Sequence, residues 1–453
     1  MQSKSSLRIS ALAIALLCAG LVQAAVSPEK AARLNTDLMP LGGERAGNGD
    51  GSIPAWTGGY TEAPAGYQSG DKRADPFAAE KPLYAVSASN MQQYADLLAE
   101  GTKALLQKYP DYRLDVYPTH RSAAAPQWVY DNTLKNATRA TLDVETEKVS
   151  GAYGGIPFPL PQNGAEVLWN YRLSWQGADT IHMPFDTWLV TAGGKKLQAS
   201  RGRTWDLRPY YFKEGSLETF NGKYLIGKMT TDQPSSKAGE SLMTHWDMDP
   251  GKRAAWQYLV GQRRVRRAPN IAYDTPDFVT SGVGFFDEAF MLFGPTDRHD
   301  LKLIGKKELL VPYNNNRAAG ASSDDLVKPG FLNPNLVRWE KHRVWVVEAT
   351  LKPGKRHVVP RRTYYVDEDS WQVLLIDGYD AQGKLGRQIY SLTLLAPEMP
   401  VLTANIMWGI YNLETGAYSL NSSANDQKVQ YLAYPRPSPS FFTPDAMAGD
   451  SMR

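Results

Sequence analysis

The side chains best suited to recognition lie together in the stretch Trp256-Gln257-Tyr258-Leu259-Val260-Gly261-Gln262-Arg263-Arg264-Val265-Arg266-Arg267. Read as two strands joined near Gly261, it puts Trp256, Tyr258 and Val260 on one face of the first strand, because strand side chains alternate. Arg263, Arg264, Arg266 and Arg267 cluster on the second. A planar guanidinium grips carboxylate or phosphate with a forked pair of N–H groups, so the pattern suits a molecule with an apolar body and an anionic head. An arginine-rich exposed strand paired with acids elsewhere fits the same residues. Burial of apolar surface, at roughly 25 cal/mol per Å², would supply most of the affinity, with charge adding orientation and on-rate.

Catalytic patterns are missing from the chain. There is no G-x-S-x-G elbow, no G-x-x-x-x-G-K-[ST] loop, no H-E-x-x-H and no G-x-G-x-x-G opening a helix after a strand. The six histidines, His120, His182, His245, His299, His342 and His357, are dispersed, and no two have the i, i+4 spacing of a helical metal site. Asn48-Gly49-Asp50-Gly51-Ser52 resembles the start of a calcium loop, but Ile53 stands at its glycine position and Gly59 at its closing glutamate, so it reads as a turn supporting Trp56. Asp367, Glu368 and Asp369 fall in a predicted hairpin turn and read as solvated acids rather than an acid–base pair. No enzyme activity, cofactor or metal is expected.

The N-terminus sets Lys4 and Arg8 before an apolar run from Ile9 to Val22 that ends at Val22-Gln23-Ala24. That is the form of a secretory leader cleaved after Ala24, and a run of about 14 residues is short of the roughly 20 that span a bilayer. Cys18, the single cysteine, lies inside the leader behind the bulky Leu17, which disfavours lipidation. A mature chain without thiols excludes thiolate catalysis, disulfides and cysteine metal sites, and the expected location is the periplasm. With 50 basic against 47 acidic residues, nothing attracts nucleic acid in general. The 12 Trp, 24 Tyr and 13 Phe suit apolar pockets and β cores alike.

Four segments must position these side chains: the leader (1–24), a Gly- and Pro-rich wrap (25–161), a β body (162–435) and a loosely ordered tail (436–453). The wrap contains one amphipathic helix, with apolar residues at helical spacing from Ser89 to Tyr109 and Pro110 just beyond. A second helix begins near Asn163, a plausible N-cap, with Val167, Leu168 and Tyr171 on one face. From about Trp175 apolar and polar residues alternate between recurrent turns, the mark of an antiparallel meander. Ser241 to Met248 and Arg253 to Val260 flank the turn Asp249-Pro250-Gly251-Lys252. In the strand Arg338 to Leu351, Val344-Trp345-Val346-Val347 is apolar on both faces, so both must be covered. A strongly curved sheet with ligand or helix on its concave face accommodates all of this.

Leu41 to Gly59 (LGGERAGNGDGSIPAWTGG), Gly154 to Asn170, Ala255 to Pro276, Arg343 to His357 and Tyr364 to Gln372 (YYVDEDSWQ) carry a resemblance to the proteobacterial family called domain of unknown function 1329. It covers nearly the whole mature chain, with Val260 standing where the family usually has proline. The family is grouped with the carriers of the outer-membrane lipoprotein-sorting pathway. The resemblance therefore implies a mainly β (α+β) fold, a half-open antiparallel β-barrel with a few helices over its concave face, and binding and transfer of a lipid or other hydrophobic molecule. It also implies an inner-membrane transporter of the resistance-nodulation-division type and an outer-membrane protein as partners in a relay. The cavity, on the order of several hundred Å³, is expected to be lined by Trp256, Tyr258, Trp345 and Val347, with Arg263, Arg264, Arg266 and Arg267 at the head group. The alternative is a non-enzymatic adaptor of an envelope transport complex, docking through the wrap.

Overall fold

The alternating segments after Trp175 do pair with one another in series. In the computed structural model, which describes residues 22–23, 25–268, 273–277 and 279–451, one sheet of 16 strands dominates. The wrap supplies β1 (Tyr84–Ser87) and β2 (Arg113–Val116). The body supplies β3 (Thr180–Val190), β4 (Lys196–Leu207), β5 (Lys223–Gln233), β6 (Ser241–Asp247), β7 (Ala254–Leu259), β8 (Arg264–Arg267), β9 (His299–Pro312) and β10 (Arg338–Leu351). It continues with β11 (Arg361–Asp367), β12 (Val373–Tyr379), β13 (Leu385–Ser391), β14 (Trp408–Asn412), β15 (Tyr418–Ser423) and β16 (Leu432–Ala433). The spatial order is β8-β7-β6-β5-β4-β3-β15-β14-β13-β12-β11-β10-β2-β1, with β9 also on β10 and β16 on β3. Among the described residues every pair is antiparallel except β2 with β10, where Arg338 lies opposite Asp115. The two ends do not meet, so the curved sheet is a half-open barrel. The leader, including Cys18, lies outside the described residues apart from 22–23.

The longer helices among the described residues dress the sheet: α1 (Glu100–Lys108), α2 (Gln127–Ala137), α3 (Gly164–Arg172) and α4 (Pro444–Ser451). Asn163 caps α3 as its sequence predicts, its side chain accepting from the Glu166 N–H at 2.9 Å. All nine residues of α3 are buried. The helix crosses the concave face so closely that a Cβ on Gly164 would come 2.7 Å from Val347 Cγ1. On the convex face the Gly101 N–H of α1 donates to Asp377 at 3.0 Å. On β10 itself, Val344 and Val346 as well as Val347 are buried, so neither side of its apolar centre faces water.

The ends of the chain differ from expectation. The wrap holds a short helix, Pro28–Ala31, besides α1 and α2, and the predicted 89–109 helix is divided, with a 3-10 segment Met91–Leu97 before extended Leu98. The tail is not loose. Pro439–Phe442 forms a turn and α4 follows, because Phe442 and Met447 find an apolar seat on Leu207, Met243 and Tyr258 of the convex face.

Candidate functional site

Cross-strand register decides which side chains look inward. Thr204 lies opposite Met229, Asp206 opposite Gly227, Gly227 opposite Thr244, Met229 opposite Leu242 and Leu225 opposite Trp246. These residues share the concave face with Phe185 of β3, Trp408 of β14 and Asn421 of β15. A strap, residues 279–294, lies across them and contributes Phe286, Phe290, Leu292 and Phe293. Tyr171 and Arg172, at the C-terminal end of α3, close the third side. Between these walls is a cavity of about 120 Å³, set in a wider concavity of about 1160 Å³ that opens to solvent. The enclosed part is smaller than the several hundred Å³ expected, because α3 and the strap fill most of the half-barrel.

The strap is held by charge and carries strain. Asp287 accepts from Arg362 at 2.6 and 3.0 Å, and His357 Nε2 lies 2.9 Å from it. Burial alone would raise the Asp287 carboxyl; Arg362 and His357 outweigh it and hold it well below the usual carboxylate range. Glu288 accepts from Arg387 at 2.9 Å, and the Tyr171 hydroxyl donates to the Phe290 carbonyl. Ser281, Phe290 and Met291 have φ of 54°, 48° and 66°, a left-handed conformation that costs a side chain of this size about 1 kcal/mol or more. The fold accepts that cost to point Phe290 and Phe293 at the cavity.

The cavity wall is mostly apolar with polar groups at its edges. Arg208 Nη2 lies 3.5 Å from Asp206, whose carboxyl burial pushes up despite that partner. Asp277 is also buried, and its carboxyl is pushed up to about 6 by burial. Among the described residues, Arg172 Nη1, Thr187 Oγ1, Arg208 Nε, Trp246 Nε1 and Asn421 Oδ1 meet no protein partner. Buried polar atoms are rarely left without a protein partner, and here several lie around one hollow.

The residues expected to line the cavity lie elsewhere. Trp256 pairs with Met243 and Tyr258 with Ser241, which puts both rings on the convex face against α4. Alternation places them together correctly, but the cavity is on the other side of the same strands. Val347 is buried under α3, and Trp345 stacks on Trp371 at 6.3 Å beneath Lys306. Arg263, Arg264, Arg266 and Arg267 are exposed at the edge of the sheet and form no ion pair among the described residues. That is the bland arrangement without its acids: a charged edge strand.

Asp367, Glu368 and Asp369 are not solvated but buried. The wrap lies on their turn: Trp371 Nε1 donates to the Leu41 carbonyl at 2.7 Å and Arg121 binds Asp369 at 2.6 Å. Arg343 and Lys306 pair with Glu368 at 3.1 and 2.7 Å. The Tyr313 hydroxyl donates to Asp367 at 2.9 Å, and burial with the neighbouring Asp369 pushes Asp367 up to about 6. The histidines are less scattered in space than in sequence, His299 and His357 lying with ring centroids 5.4 Å apart. Among the described residues no group of His, Cys, Asp and Glu could hold a metal ion, and no helix is long and apolar enough to cross a membrane.

A half-open antiparallel barrel with a strapped, aromatic-walled hollow on its concave side defines the class of this molecule. The chain belongs to the family described as Protein of unknown function (DUF1329), whose model matches residues 85–448. It is 37% identical over 463 residues to the uncharacterized protein PA3922 of Pseudomonas aeruginosa, covering 100% of this chain and 99% of that one. Among solved structures it is similar to a putative outer membrane lipoprotein-sorting protein domain from Vibrio parahaemolyticus, with 14% identity and TM-score 0.43 over 63% of this chain and 98% of the other. A DUF1329 family protein from Desulfovibrio piger matches with 15% identity and TM-score 0.38, over 60% of this chain and 92% of that one. The LolA superfamily protein NE2245 from Nitrosomonas europaea matches with 10% identity and TM-score 0.36, over 63% and 100%.

Proposed function

We propose that this protein is a periplasmic carrier that takes a lipid or other hydrophobic molecule into the concavity between sheet and strap and releases it elsewhere in the envelope. The observation that carries the reading is the hollow itself, walled by Phe185, Met229, Leu242, Phe290, Phe293 and Trp408 and open at one side. Aromatic and aliphatic walls around few polar groups favour an apolar guest by removing its surface from water. The leader-like start of the chain supports the periplasm as the compartment, and the mouth of the cavity gives a long chain room beyond the enclosed part. The family resemblance supports a relay in which an inner-membrane transporter and an outer-membrane protein are the partners. Organic extraction of the purified mature chain, followed by mass spectrometry, is expected to release an amphiphile, and the extracted protein to bind N-phenyl-1-naphthylamine with a rise in fluorescence. A protein that yields no amphiphile and leaves the dye dark is not a carrier.

A further inference from the structure

We propose that the guest of this cavity carries a single carboxylate head and that Arg172 receives it. The inference rests on the carrier reading and specifies its ligand.

Arg172 is 8% exposed, its guanidinium 5.1 Å from the centre of the Trp169 ring. Nη2 donates to the Gly294 carbonyl at 2.7 Å and lies 3.5 Å from the Thr296 hydroxyl, while Nη1 has no protein acceptor. No carboxylate comes within ion-pair distance of it among the described residues. A buried cation left so is expensive, and proteins keep such groups paired. Its surroundings add positive charge instead. Arg253 lies 5.7 Å from the same Trp169 ring and 5.6 Å from that of Trp246, and neither of its Nη atoms has an acceptor. Its nearest carboxylate is Glu147 at 4.0 Å, which already accepts from the Thr296 N–H at 3.1 Å and from the Thr296 hydroxyl. Asp297 also acts on Arg253 through space, but neither it nor Glu147 comes within ion-pair distance of Arg172, whose charge is left without a direct counterion.

A cation without a counterion fits a monoanion, and the free Nη1 of Arg172 offers a carboxylate a charged donor. Trp246 Nε1, also on the cavity wall and without a partner, offers a further donor. Arg208 is less suited, because Asp206 faces it at 3.5 Å. From Arg172 the apolar surface runs over Leu292 and Phe293 toward Leu242 and Met229, where an alkyl chain would lie. The ligand is therefore an alkyl carboxylate of the fatty-acid type.

The test compares 11-(dansylamino)undecanoic acid with its methyl ester on the full mature chain, by fluorescence titration at neutral pH. A hydrogen-bonded charge pair in a buried site gives the acid an advantage of roughly 10-fold or more over the ester in the native protein. Arg172→Gln removes that advantage by weakening the acid and leaves the ester unchanged within about 2-fold; Arg172→Lys, which keeps the charge but loses the fork, falls between. Thermal melts show that the variants are folded, and the acid–ester comparison itself needs no variant. Equal binding of acid and ester overturns the head-group assignment and leaves the carrier reading intact, whereas failure of both probes to bind overturns the carrier reading. Loss of the preference in Arg264→Gln instead of Arg172→Gln moves the head group to the sheet edge and overturns the proposal. Displacement of the acid by acetate or inorganic phosphate at probe concentration marks a free-anion site and also overturns it.

Discussion

Asp277, where the strap begins, titrates against the fold. Burial raises its carboxyl to about 6 from the ordinary 3.8, even though the Val279 N–H donates to it at 2.9 Å. At about 1.4 kcal/mol per unit, carrying that charge at neutral pH costs the folded state roughly 3 kcal/mol. Because the folded value lies above the unfolded one, the favourable contribution is complete below pH 3.8 and is lost as pH rises through about 6. Asp277→Asn keeps an oxygen to accept from Val279 and has nothing to ionise. Urea unfolding followed by tryptophan fluorescence at pH 4, 6 and 7.5 is expected to give a gain for the variant of only about 0.5 kcal/mol at the lowest pH and of about 2–3 kcal/mol at the highest. Other buried acids, such as Asp367 and Asp377, titrate equally in both proteins and cancel from the difference. A gap that does not change with pH, or a variant less stable at pH 7.5, refutes the reasoning.

Two further predictions concern the clasp and the cavity. Arg121→Met strands Asp369 as a buried charge beneath the wrap, while Glu368 keeps Arg343 and Lys306; a loss of about 3–5 kcal/mol is expected by urea denaturation, and a loss under about 1 kcal/mol would show that the clasp does not hold the wrap. Gly227→Val puts methyl groups into the hollow beside Thr244 and should reduce N-phenyl-1-naphthylamine affinity by roughly 10-fold, whereas Tyr258→Ala on the convex face should cost about 3 kcal/mol of stability and leave dye affinity unchanged. The opposite pattern would return the cavity to the Trp256 side.

The period of two and the turn residues made most of the body legible. β6, β7, β10, β11 and β12 lie where alternation puts them, and Asn163 marks the start of α3 correctly. Parity told that Trp256 and Tyr258 share a face, but both faces of these strands are covered, one by strap and one by tail, so polarity gave no cue to which was concave. Lys228 illustrates the difficulty: its ammonium points to the convex side, 3.9 Å above the Phe441 ring. The acids at 367–369 were misread for a different reason. Arg121, which binds Asp369, is about 250 residues away, and Leu41, which holds the adjacent Trp371, about 330; no local pattern anticipates such contacts. Arg172 reads locally as a helix-terminal cation favoured by the peptide dipole, and only the packing around Trp169 makes it a buried charge without a counterion.

The half-open architecture has a colloidal consequence. A sheet that never closes leaves hydrogen-bonding rims, and rims invite copies of the same chain to add on as fibres. Here the outermost strand on one side, β8, is only four residues long and studded with exposed arginines. Two molecules approaching rim to rim there oppose like charges at short range, a repulsion with a reach of about 8 Å in physiological salt. The molecule can thus keep an unsealed shell without polymerising through that side, and its tolerance of crowding becomes a function of ionic strength rather than of how well its interior is packed.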